Sequence, residues 1–188
     1  MQIRELSISG AYEVTPRQFA DTRGLFLESY RVEPWVELIG SAPQWVQANT
    51  SVSHRGVVRG VHYGPPQLRQ AKYVSVVRGA AVDYVVDLRP ESPTFGQWDS
   101  VLLDTVDRRS VYIPAGFGHA FESLEDDTTL HYLLTAVYTP ASEFSINVFD
   151  STVALSFKSD ESDLVLSERD REAPNLSESL RQAGMLRD

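Results

Sequence analysis

What this 188-residue chain can do chemically is narrowed first by a residue it lacks. It has no cysteine, which excludes a thiolate nucleophile, a disulfide framework and every sulfur-ligated zinc site. The chemistry left is that of His, Tyr, Lys, Arg and the carboxylates. Two histidines stand in suggestive settings: His62 follows Gly56 after five residues, and His119 ends the run PAGFGH that begins at Pro114. If a barrel encloses a His, a Tyr and a Lys, a base can remove a proton α to a carbonyl, a cation can steady the enolate, and an acid on the other face can return a proton. Such a step inverts a stereocentre. Histidine suits the base role, and a carboxylate on its other ring nitrogen would orient it and stabilise the imidazolium. Asp83, Asp87 and Asp170 are the candidates for that carboxylate, and the sequence does not choose among them.

The elements that must position these groups read as strands. Runs rich in Val, Ile, Tyr, Thr and Phe cover 50–63, 71–77, 81–88, 97–103, 110–113, 128–138 and 144–149, separated by turn signals such as Arg78-Gly79 and Pro114-Ala115-Gly116. The short connections predict a sandwich, jelly roll or barrel, because a parallel sheet needs long crossovers that the middle of the chain does not offer. Helix is expected only at 33–39 and at 176–183, the latter with Asn175 and Glu178 as a cap pair and Gly184 just past its end. The polar stretch 158–163 reads as a surface loop. Side chains an even number of residues apart share a strand face, which groups Tyr132 with Leu134, Ala136 and Tyr138, His119 with Phe121, and Gln47 with Asn49. A barrel lined by these would hold a polar, aromatic pocket. Arg59 and His62 are three apart and reach one pocket only if the strand is bulged or ends there. His54 and His131 are expected to be structural or solvent-facing, and Trp35, Trp45 and Trp98 to pack.

Composition sets the outer bounds. Length points to one domain spanning 1–188, with 158–188 a C-terminal loop and helix. Seventeen Lys and Arg against 26 Asp and Glu give a net charge of -9, with 42% hydrophobic and 23% charged residues. That is globular composition, without the basic patch that nucleic acid requires. Arg4 and Glu5 fall where a signal peptide needs apolar residues, and no run is long enough to span a membrane. The expectation is a cytoplasmic protein.

The segments 56–62 and 114–119 are similar to degenerate copies of the two metal motifs of cupin jelly rolls. A cupin metal site takes several His and a carboxylate, whereas here only His62 and His119 remain and Gly64 stands at a ligand position. The expected fold is therefore an all-β, cupin-type jelly-roll barrel with a short peripheral helix and a C-terminal helix, and without a metal.

Seven ordered blocks extend the resemblance over nearly the whole chain: DTRGLFLESY from Asp21, QANTSVSHRGVVRGVHY from Gln47, QAKYVSVVRG from Gln70, VDYVVDLRPESPTFGQWDSVLL from Val82, YIPAGFGHAFESL from Tyr112, YLLTAVYTPASE from Tyr132 and LSERDREAP from Leu166. In these the chain resembles the dTDP-4-dehydrorhamnose 3,5-epimerase family. The resemblance implies His62 as general base with Asp170 as its dyad partner, Tyr132 as general acid and Lys72 at the enolate oxygen. It further implies substrate binding by Arg23, Phe26, Glu28, Gln47, Asn49, Arg59, His119, Phe121, Glu143 and Arg169, with the arginines on the diphosphate and Tyr138 stacked on thymine. It implies a dTDP-4-keto-6-deoxyhexose substrate, no cofactor, and a homodimer whose N-terminal strands complete the neighbour's site. Two departures stand out: Arg169 replaces a usual lysine, exchanging a point charge for a planar fork, and NVFDSTVAL after Ile146 lacks the family's tryptophan and proline. The motifs do not separate a double epimerase from a C3-only or C5-only enzyme; a 4-keto sugar 3,4-isomerase is distinguished by its product, and the intact base, acid and lysine argue against a non-catalytic nucleotide-sugar-binding cupin.

Overall fold

The computed structural model describes residues 1–186. In chain order it runs through β1 (Gln2–Glu5), β2 (Tyr12–Thr15), β3 (Gln18–Asp21), β4 (Gly24–Leu27), α1 (Glu33–Ile39), β5 (Gln47–Ser53), β6 (Val58–Tyr63), β7 (Lys72–Arg78), β8 (Ala80–Asp87) and β9 (Trp98–Asp104). It continues with β10 (Ser110–Ile113), β11 (Phe117–Ser123), β12 (Thr128–Leu134), β13 (Phe144–Ser145), α2 (Glu168–Arg171) and α3 (Leu176–Gln182). Two antiparallel sheets face each other, one ordered β1-β2-β10-β7-β12-β5 and the other β13-β6-β11-β8-β9, which is the expected jelly roll. The hairpin β3–β4 pairs with neither sheet.

Three apolar layers hold this together. Val74, Val76, Val85, Val101, Val111 and Phe121, drawn from both sheets, fill the space between them. The opposite face of the five-stranded sheet, with Val82, Tyr84 and Val86, is covered by the C-terminal segment through Ile146, Leu164, Leu176 and Leu180. Over the six-stranded sheet, α1 buries Trp35 completely against Tyr12, Tyr73 and Tyr112. Trp45 joins that aromatic group and Trp98 stands edge-on to Tyr84, so all three tryptophans pack.

Several boundaries differ from the sequence reading, each for a physical reason. The run 50–63 is not one strand: β5 and β6 lie in different sheets, and the chain turns between them at Gly56, whose φ of +79° and 2.6 Å approach of a would-be Cβ to the Asp163 carbonyl require glycine. Phe117–Ser123, read as following a turn, is a fully buried strand, so its Gly118, His119 and Glu122 hid it from propensity. The run 128–138 ends at Leu134, and 144–149 keeps only two strand residues. The short helix α2 and the strands of the first 27 residues were not among the predicted runs. Helix α1 falls on its predicted span, and α3 carries the expected cap, with Asn175 Oδ1 accepting from Glu178 N at 2.9 Å. The loop 158–163 is fastened where the Lys158 and Ser159 amides donate to buried Glu122 at 2.7 and 2.8 Å.

Candidate active site

The inner faces of β5, β6, β7, β11 and β12 leave a cavity of about 330 Å³. Its wall includes Gln47, Asn49, Arg59, His62, Lys72, His119, Phe121, Tyr132, Tyr138 and Glu143, which the sequence had singled out, together with Leu134. Arg59 and His62 do meet there. In the pairing of β6 with β11, His62 opposes His119 and Arg59 opposes Phe121, so two residues of β6, Gly60 and Val61, stand against Ala120 alone. That extra residue is the bulge that reverses parity. It requires Gly60, because at φ +126° a Cβ would lie 2.5 Å from the His119 carbonyl oxygen.

His62 Nε2 lies 2.6 Å from Asp170 Oδ1. The structure thus selects Asp170 among the three carboxylates: Asp83 takes His119 Nε2 at 2.7 Å, and Asp87 takes Arg89 at 2.7 Å. Asp170 is supplied by α2, whose cap Ser167 accepts the Asp170 amide at 3.1 Å. Burial works to raise its carboxyl, but hydrogen bonds from His62, Ser167 and the Gly60 amide outweigh this and hold it below the usual range. Tyr132 is raised above the usual phenol value, chiefly by burial, and so keeps its proton at neutral pH. Burial also lowers His119, against the pull of Asp83, which favours the neutral ring.

At the mouth the walls are polar. Gln47 donates to Asn49 at 2.9 Å and accepts the Tyr138 amide at 2.8 Å, fixing the approach to the half-exposed Tyr138. Arg59 donates to Ser53 Oγ at 3.2 Å and makes no carboxylate pair among the described residues, so its charge is available to an anion. Arg169 is not on the cavity wall. It binds Glu143 at 3.1 Å and lines an adjoining cleft shared with Arg59, His62 and Asp170.

Three named residues are not brought to the cavity of the single chain. Arg23 lies on the β3–β4 turn, paired with Asp21 and almost fully exposed; Phe26 is 69% exposed on β4; Glu28 pairs with exposed Arg31. The reason is topological, since the hairpin joins neither sheet. Conversely, Ser51 and Gln70 line the cavity and were not assigned to it, while Asp83, named as a candidate carboxylate for the base, instead lies behind the wall against His119. Ser51 continues the alternation of Gln47 and Asn49 and was legible that way, whereas Gln70 precedes β7 in a loop with no periodic signal. His54 is exposed beside Asp126, and His131 meets Thr50 on the outside of the sheet, as expected. Among the described residues no group of three His, Cys, Asp or Glu is placed to hold a metal.

The family model of dTDP-4-dehydrorhamnose 3,5-epimerase matches residues 5–178. The chain belongs to the dTDP-4-dehydrorhamnose 3,5-epimerase family. The protein of that name from Mycolicibacterium smegmatis (strain ATCC 700084 / mc(2)155) is 50% identical over 186 residues, 99% of this chain and 90% of that protein. Among solved structures, a 4-keto-6-deoxy sugar epimerase from the novobiocin biosynthetic gene cluster of Streptomyces spheroides has a TM-score of 0.93 at 46% identity, covering 99% of this chain and 92% of that one. A 3'-monoepimerase from Streptomyces bikiniensis in complex with dTDP-quinovose gives 0.88 at 43% identity, covering 97% and 91%. The matched residues run from the end of β1 through the barrel and α2 into α3. No helix among the described residues is long and apolar enough to cross a membrane.

Proposed function

We propose that this chain epimerises a dTDP-4-keto-6-deoxyhexose at C3 and/or C5, with His62 as base, Tyr132 as acid and Lys72 at the enolate oxygen. The observation that carries this is the His62–Asp170 contact of 2.6 Å beside a cavity whose wall also holds Lys72 and Tyr132. The 4-keto group acidifies the neighbouring C–H bonds. With Nε2 held by Asp170, His62 Nδ1 takes the proton, Asp170 stabilises the imidazolium, and charge moves onto the O4 atom, where an ammonium lowers its energy. Tyr132, kept protonated by burial, gives a proton to the opposite face. The reaction moves protons and changes no oxidation state, so no redox cofactor enters its balance. Arg59 and Arg169 suit the diphosphate, Tyr138 suits the thymine ring, and Gln47, Asn49, His119, Phe121 and Glu143 suit the sugar.

The molecule works, in this reading, as a single catalytic domain in a cytoplasmic homodimer. The free-standing hairpin supports the dimer: Phe19, Leu25 and Phe26 are 48%, 42% and 69% exposed beside Arg23 and Glu28, a combination suited to entering a neighbour's cavity mouth. C3-only turnover is the second reading, because the Streptomyces bikiniensis relative is a 3'-monoepimerase.

The test is proton NMR of dTDP-4-keto-6-deoxyglucose with the purified protein in deuterium oxide. Loss of the C3 and C5 hydrogens with inverted ring couplings is the double epimerase; loss at one carbon is the mono-epimerase. His62→Ala should abolish exchange by more than about 1,000-fold, while Tyr132→Phe should retain exchange and lose inversion. Undiminished turnover in His62→Ala, or no exchange by the parent protein, overturns the reading.

A further inference from the structure

Lys72 and Lys158 are the two lysines of the chain. Lys158 is exposed, whereas Lys72 is 7% exposed in the cavity wall. A buried ammonium loses its proton unless neighbouring charge holds it. Lys72 has one long hydrogen bond, 3.4 Å to the His62 carbonyl, and no carboxylate at ion-pair distance among the described residues. The charged and titratable groups around it are Arg59 and His62 of β6, Asp83 of β8, His119 of β11, Tyr132 of β12 and Glu143 before β13. Glu143 already has Arg169 as its cation. Asp83 has none: fully buried, it accepts from His119 through Oδ2 at 2.7 Å, and its Oδ1 has no hydrogen-bond partner among the described residues.

We propose that Asp83 is a positioning residue that keeps the Lys72 ammonium charged inside the cavity and fixes the His119 ring, so that positive charge stands ready where the enolate oxygen forms. The inference rests on the epimerase reading above. His119, favoured neutral by burial, donates its Nε2–H to Asp83 Oδ2 at 2.7 Å, which fixes the ring and turns Oδ1 free of any partner among the described residues. Lys72 feels the Asp83 charge: burial lowers its proton affinity, and Glu143 and Asp83 oppose the loss. An orphan carboxylate oxygen inside a protein is costly, and among the described residues no Lys or Arg stands at ion-pair distance from Asp83. On its own face of β8, Asp83 stands between apolar Ala81 and Val85 of the layer between the sheets, where packing alone has no use for a carboxylate.

The test reads the lysine directly. Protein carrying lysine labelled with carbon-13 at Cε is titrated by NMR, with Lys158→Arg removing the second signal. Lys72 is expected to be charged at about pH 7.5 in the parent, and Asp83→Asn should lower its midpoint by at least about one pH unit. The same variant should lower kcat by about 10-fold or more, move the alkaline limb of the pH–rate profile with the lysine midpoint, and leave KM nearly unchanged. Placed on Lys72→Met, Asp83→Asn should add no more than about twofold. A neutral Lys72 at about pH 7.5 in the parent, or a midpoint in Asp83→Asn within about 0.3 pH unit of the parent, overturns the proposal. The parental titration decides the matter even if Asp83→Asn does not fold. Because it needs no substrate, its failure is distinct from failure of the epimerase reading, which parental turnover reports.

Discussion

Asp170 and Asp87 are both carboxylates held low by hydrogen bonds against burial, yet they do different things. Asp170 faces His62, the proposed base; Asp87 faces Arg89, Ser92 and Thr94, which fasten a loop. Those bonds outweigh burial and bring Asp87 down to about 2 from its ordinary 3.8. A carboxyl depressed in the folded state stabilises the fold fully above its unfolded value and loses that contribution as pH falls through its folded value. Asp87 therefore contributes above about pH 4 and ceases to contribute between about pH 4 and pH 2. Because Arg89 is partly exposed and screened, the effect is on the order of 1 kcal/mol. Asp87→Asn should lower stability by that amount at neutral pH and flatten the acid side of a urea-unfolding profile. An unchanged acid slope in the variant counts against it.

At the scale of elements, the bulge in β6 joins fold to chemistry. It turns Arg59 and His62 to one side, and its Gly60 amide also donates to Asp170. Gly60→Ala puts a methyl 2.5 Å from the His119 carbonyl oxygen and 2.6 Å from Ala120 Cα, both backbone. The expected cost is more than about 2 kcal/mol by chemical denaturation, with a fall in kcat of about 10-fold or more at temperatures where the variant is folded. Parental stability would show that the bulge does not need glycine. The helix α3 offers a smaller test: Asn175→Ala removes the bond to the Glu178 amide and should cost about 1 kcal/mol in thermal unfolding without touching kcat.

For the whole molecule, the proposed dimer raises the question of whether Arg23 and Glu28 act in their own chain or in a second copy. If the β3–β4 hairpin completes a neighbour's site, His62→Ala and Arg23→Ala are each defective but fail in different halves of a composite site. Mixing them under exchange should restore activity, up to about a quarter of parental for a random C2 dimer, since half of the dimers then hold one intact site in two. No recovery in the mixture, with dimer exchange verified, would mean that the hairpin acts within its own chain.

How much was legible follows from what each residue depends on. The absence of cysteine, the strand-rich pattern, α1, the α3 cap and the block order around His62, Lys72, Tyr132 and Asp170 are local or linear properties, and the sequence by itself determined them. Alternation along β5, β11 and β12 likewise foretold that Gln47, Asn49, His119, Phe121 and Tyr132 share an interior, because side-chain direction has a period of two. The remaining assignments depend on contacts between distant segments. Asp170 and His62 are 108 residues apart and Asp83 and His119 are 36 apart, so only the folded chain shows which carboxylate each imidazole receives. Only the register of β6 against β11 inserts the extra residue that brings Arg59 round, and only the sheet order leaves the hairpin unpaired. Spacing along a chain fixes the direction of a side chain, whereas its partner and its charge are set by the residues packed against it.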